Sequence, residues 1–181
     1  MRIKELKQSV NILDGVTVRV VGNVVTAKGP HGEVSRKWTE PKVSIVVEGN
    51  KVIVSSKHAT KNQKRMVATM KAQIKNAVEG VKNNNEYKMK VCSSHFPIQV
   101  SMEGQTFIVK NYFGEKFPRK TTLSKDVQVK ITADKISVTG PDVEKVGQTV
   151  GKIEEVCRIT NRDRRRFQDG IYLTERNGNS I

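Results

Sequence analysis

Between Arg158 and Leu173 the chain reads RITNRDRRRFQDGIYL, where Arg158, Arg162, Arg164, Arg165 and Arg166 face only Asp163 and Asp169 as acids. Such a run repels itself and holds more donors than the carboxylates of the tail can accept, so an external polyanion is its natural partner. A planar guanidinium holds a phosphate through two parallel bonds and stacks on a base, which an ammonium does not do. Phe167 and Tyr172 flank the run. A basic run is as often a solvated tail; the return of apolar order at Ile171, Tyr172 and Leu173 argues against that here. A second stretch has the same character, with Lys110, Tyr112, Phe113, Lys116, Phe117, Arg119 and Lys120 close together. Its cations suit phosphates and its rings suit exposed sugars or bases, although Phe113 and Phe117 serve equally well as anchors of a long loop.

Other chemistries find little support. The three histidines, His31, His58 and His95, do not stand at ligand spacing, and Cys92 with His95 lacks the second pair that a zinc site needs. GEKFPRKTT has a glycine and a Lys-Thr at P-loop separation, but Arg119 occupies the second glycine's place, where backbone must cradle phosphate. No dinucleotide fingerprint and no nucleophile elbow occurs, and Glu154-Glu155 face outward from a helix with nothing opposite. Catalytic residues, metal ligands and cofactors are therefore not expected.

Length and composition agree with a polyanion binder. The 181 residues suit one large domain or two small ones, and 36% hydrophobic content is low but adequate for a core. Thirty-three Lys and Arg against 18 Asp and Glu leave a net charge of +15, and basic chains of this kind meet nucleic acid more often than any other polyanion. Cys92 and Cys157 read as small core residues, since two cysteines make no disulfide framework. MRIKELKQSV lacks the apolar core of a leader and no run reaches the ~18 apolar residues of a membrane span, so a cytosolic chain is expected.

The elements that must position these groups follow from periodicity. Val16, Val18 and Val20, the turn Gly22-Asn23, then Val24 onward predict a hairpin. Gly29-Pro30-His31-Gly32 breaks the chain before Val34 and Trp38, a core residue by type. Val43 to Val47, Gly49-Asn50, and Val52 with Val54 predict a second hairpin. At Thr60 the period lengthens, with Val67, Met70, Ile74, Ala77 and Val81 on one helical face, a capping box from Thr60 to Gln63 and a stop at Gly80. The opposite face carries Lys61, Lys64, Arg65, Lys71 and Lys75, for which solvation is as good an account as RNA contact.

The same order then repeats. Ile98 to Val109 around Glu103-Gly104, a break at Gly114-Glu115, and Val127 to Val138 around Ala133-Asp134 precede a helix after Gly140-Pro141-Asp142. Val150, Ile153 and Cys157 are spaced as Val67, Met70 and Ile74 are, roughly eighty residues later, which duplication explains better than coincidence. The expectation is an α+β chain of two tandem copies of an antiparallel sheet with one packed helix, the first over 1–82 and the second over 83–181 with a basic C-terminal tail.

TAKGPHGEVSR (26–36), YKMKVCSSHFPIQV (87–100), NYFGEKFPRK (111–120), GPDVEKVGQT (140–149) and RRFQDGIYL (165–173) together resemble the universal large-subunit ribosomal protein six family in its archaeal and eukaryotic form. The resemblance spans nearly the whole chain. It implies two tandem α+β units and a non-enzymatic, cytoplasmic component of the large ribosomal subunit that binds ribosomal RNA chiefly through its second unit. It further implies a place near the sarcin–ricin loop and the stalk base, beside other ribosomal proteins, supporting the surface on which translation factors dock. The residues expected to touch RNA are Lys116, Arg119, Lys120, Arg158, Arg162, Arg164, Arg165, Arg166, Phe167 and Tyr172. The competing expectations are an RNA-processing enzyme, which needs a pocket of converging acids or histidines, and a messenger RNA-binding regulator.

Overall fold

The computed structural model describes residues 3–181, and Met1 and Arg2, where the leader reading begins, lie outside the described residues. The chain divides into two compact units, Met1–Asn84 and Asn85–Ile181. In the first, β1 (Ile3–Asn11), β2 (Thr17–Val21), β3 (Val24–Gly29), β4 (Gly32–Lys37), β5 (Ser44–Glu48) and β6 (Lys51–Ala59) precede the helix α1 (Lys61–Asn83). The strands form two antiparallel sheets rather than the single one expected, β1-β6-β5 and β2-β3-β4. Their links, residues 12–16 with Gly15 at φ 83° and residues 38–43 with Pro41, carry turn-forming residues that take the chain from one sheet to the other.

The helix α1 packs on both sheets, burying Val67, Met70, Ile74, Val78 and Val81 against Val25, Val34, Val52 and Val54. Its capping box is present: Gln63 Oε1 accepts from the Thr60 backbone N–H. The helix does not stop at Gly80. That residue is buried inside it, and the chain turns at Asn84, whose backbone has φ 57° and whose N–H donates to the Gly80 carbonyl. The strand β1 has no clear period because Lys4, Glu5, Lys7 and Gln8 break up its apolar alternation; its pairing with β6 holds it.

The second unit repeats the order with β7 (Asn85–Cys92), β8 (Gln99–Glu103), β9 (Thr106–Lys110), β10 (Arg119–Thr122), β11 (Gln128–Thr132), β12 (Lys135–Gly140) and the helix α2 (Val143–Val156). Asp142 caps α2, its carboxylate accepting from the Glu144 N–H. One sheet is β10-β9-β8; the other is β11-β12-β7-β13-β14, extended by β13 (Gly170–Arg176) and β14 (Asn179–Ser180) from the tail. The tail strand β13 lies antiparallel on the edge of β7, while the equivalent edge of β1 carries no strand among the described residues. Both cysteines are free thiols, Cys157 buried and Cys92 partly so. No helix is long and apolar enough to cross a membrane among the described residues.

Candidate nucleic-acid interface

The two basic stretches meet at one end of the second unit, and Tyr112 is what joins them. From a tight turn after β9, with Asn111 at φ 60° and Phe113 at φ 50°, Tyr112 enters the core with 1% of its surface exposed. Its hydroxyl is 2.5 Å from the Cys157 carbonyl and 3.2 Å from the Asp169 carbonyl, close enough to donate to both ends of the tail segment. Burial pushes the Tyr112 pKa up to about 12 and that of the neighbouring Cys157 thiol up to about 11, so both groups are neutral in the working range.

Arg119 reinforces the junction. It lies on β10 rather than in a loop, paired with Val109, so its side chain takes the inner face and that of Lys120 the outer. Its guanidinium grips Glu115 through Nε at 2.8 Å and Nη2 at 2.5 Å. Its Nη1 donates to the carbonyls of Val156 at 2.9 Å and Arg158 at 3.0 Å, the end of α2. The same group sits 4.3 Å from the Tyr112 ring centre. The bond to Arg119 holds the Glu115 carboxyl below the usual carboxylate range, and Glu115 in turn raises Arg119.

The segment that looks least foldable in sequence is ordered by its own acids. Asp163 starts a turn: its carbonyl accepts from the Arg166 and Phe167 N–H groups, and its carboxylate accepts from Arg165 through the backbone and the side chain. Hydrogen bonds from Arg165 lower the Asp163 pKa. Asp169, 3% exposed, accepts from the Ser94 N–H at 2.9 Å and its hydroxyl at 2.6 Å, fastening the tail to the end of β7. Glu154, expected to face nothing, accepts from the Leu173 N–H at 2.9 Å and so guides β13 onto the sheet. Arg162 lies 4.9 Å from both the Phe113 and Phe167 ring centres, and those rings meet edge to face at 5.7 Å.

This internal bonding sorts the residues expected to touch RNA. Arg119 is tied to Glu115 and the helix end, Arg165 to Asp163, and Arg162 to two rings. Lys116, Lys120, Arg158, Arg164 and Arg166 are exposed and have no acidic partner among the described residues. Phe117 is 85% exposed beside Lys116; Phe167 at 36% and Tyr172 at 41% show part of a ring, with Tyr172 donating to the Gln168 carbonyl at 3.0 Å. Sequence reasoning missed the joining roles of Tyr112, Ser94, Glu115 and Asp169. Only the Asp169-Gly170 pair carries a local signal, that of a turn before a strand. No group of three or more His, Cys, Asp or Glu side chains could hold a metal ion among the described residues.

A duplicated sheet-and-helix scaffold that gathers exposed cations and partly open rings at one end of its second unit has the surface character of the nucleic-acid-binding class of proteins. A sequence model described as ribosomal protein L6 matches the chain twice, over residues 12–84 and 96–170, one match within each unit. The large ribosomal subunit protein uL6 of Methanothrix thermoacetophila is 41% identical over 174 residues, 96% of this chain and 99% of that protein. Its namesake in Nanoarchaeum equitans is 40% identical over 189 residues, 100% of this chain and 98% of that protein. The chain belongs to the ribosomal protein L6 family, whose members are structural ribosomal proteins and not enzymes.

Proposed function

We propose that the chain is a structural component of the large ribosomal subunit, in the cytoplasmic ribosome, anchored on ribosomal RNA by the cationic end of its second unit. The observation that carries this reading is the placement of Lys116, Lys120, Arg158, Arg164 and Arg166 without acidic partners, among the described residues, on segments that Tyr112, Arg119 and Asp169 tie to the core. Backbone already tied to the core does not have to be ordered on docking, so the cost of binding phosphate is confined to the side chains themselves. Tyr112 and Arg119 act by position, holding the two segments so that their free cations face one RNA surface. Phe117, Phe167 and Tyr172 offer ring faces for unstacked bases or sugars. Family resemblance supports a site near the sarcin–ricin loop and the stalk base, with neighbouring ribosomal proteins alongside and translation factors docking on the surface this chain supports.

The test replaces Arg164, Arg165 and Arg166 with alanine and measures binding to purified large-subunit ribosomal RNA across a range of salt. Affinity falls and the dependence of log K on log salt becomes shallower by about one unit for each phosphate no longer neutralised. Arg165, tied to Asp163, contributes less than the other two. An unchanged slope removes the tail from the interface.

A further inference from the structure

The first unit carries a second, separate row of cations that the interface above does not use. On α1, Lys64, Lys71, Lys75 and Lys82 follow one another at steps of seven, four and seven residues. At about 100° and 1.5 Å per residue these steps keep all four within roughly 40° of arc along about 27 Å of helix. Lys64 and Lys75 are exposed, and Lys71 and Lys82 are half-buried. Of the four, only Lys75 has an acid near it among the described residues, Glu79 at 3.6 Å, an exposed and loosely held pair.

Nothing in the fold of the unit calls for this row. The buried face of α1 is complete without it. Lys71 and Lys75 are four residues apart, where like charges repel, and Lys61 and Lys64 stand in a first turn that holds no acid, the end at which the helix dipole disfavours cations. An arrangement unfavourable to the isolated helix and ordered along a straight line fits a ligand with regularly spaced negative charge.

We propose that the lysine row of α1 is a second docking surface for ribosomal RNA, laid along the phosphate backbone of one RNA helix. It rests on the reading of the chain as a ribosomal RNA binder but uses a different unit and a different recognition chemistry. Lysines act as point charges that neutralise phosphates without reading bases. None of the large exposed apolar side chains of the described residues lies on α1, so the row lacks the aromatic or aliphatic anchor on which a protein partner would depend. A membrane surface does not fit either, because the apolar face of the helix is already sealed in the core.

The experiment compares the full chain with a variant carrying Lys64→Ala, Lys71→Ala, Lys75→Ala and Lys82→Ala. Binding to purified large-subunit ribosomal RNA is measured over a salt series in excess transfer RNA, which occupies non-specific sites. Circular dichroism verifies that α1 stays folded, as alanine favours helix. The expected result is a slope shallower by about 0.9 for each phosphate left without its lysine, while a variant with arginine at the same four positions keeps the original slope. The combination with Arg164→Ala and Arg166→Ala lowers the slope further, by the sum of the separate effects. A slope that the alanine variant leaves unchanged while the tail variant flattens it overturns this surface and leaves the tail interface standing. Loss of binding to poly-glutamate with an unchanged RNA slope overturns it in favour of an acidic protein partner. If neither variant alters the slope, both surfaces fall.

Discussion

Tyr112 shows how one side chain ties together two basic segments that are distant in sequence. Its hydroxyl joins the carbonyls of Cys157 and Asp169, and its ring supports Arg119. Tyr112→Phe keeps the ring and leaves two buried carbonyls short of a donor, a loss of about 1–3 kcal/mol in a denaturant melt. The pH dependence has a definite sign. A pKa raised from 10.0 to about 12 favours the neutral phenol in the folded state, so the contribution is intact below pH 10 and lost as pH rises through 12. Alkaline unfolding is therefore expected to steepen in that window, with Cys157 adding its share between pH 9 and 11, and Tyr112→Phe to be shallower there. None of this is legible in the sequence. Tyr112 reads there as one more aromatic in a basic loop, because its acceptors lie 45 and 57 residues away.

At the scale of elements, the helices and most strands are readable from sequence, because periods of two and of about three and a half are local properties of the backbone. The apolar spacing of α2, its Asp142 cap and its duplication of α1 all stand in the sequence. The strand β10 does not: Arg119-Lys120-Thr121-Thr122 has no apolar alternation, and only pairing with β9 makes it a strand. The end of α1 differs from expectation for a similar reason, since glycine marks a stop only where the fold leaves it at the end. A close approach explains another glycine. A Cβ at Gly29 would lie 2.7 Å from the Val81 carbonyl oxygen, so the hairpin of β3 and β4 meets α1 backbone to backbone. Gly29→Ala forces the hairpin off the helix, at a cost of about 1–3 kcal/mol, seen as a lower melting temperature with the second unit's hydrogen-exchange protection unaltered.

For the whole molecule, the tail is at once a strand and the proposed binding segment, and these roles can be separated. Truncation after Gln168 removes β13 and β14 and bares the edge of β7, and Tyr112 loses one of its acceptors. Hydrogen exchange is then expected to rise along β7 and in the turn 111–115, while β1 and β6 remain protected. Protection unchanged in β7 would show that the tail is only an appendage. The sequence by itself determined the duplication, the α+β class, the positive charge and the two stretches where it gathers, because composition and periodicity are carried by neighbouring residues. Only the tertiary structure decided that each unit splits its strands between two sheets, and which cations are bound internally and which are left exposed. A cation's freedom depends on whether an acid, a carbonyl or a ring from a distant part of the chain arrives beside it.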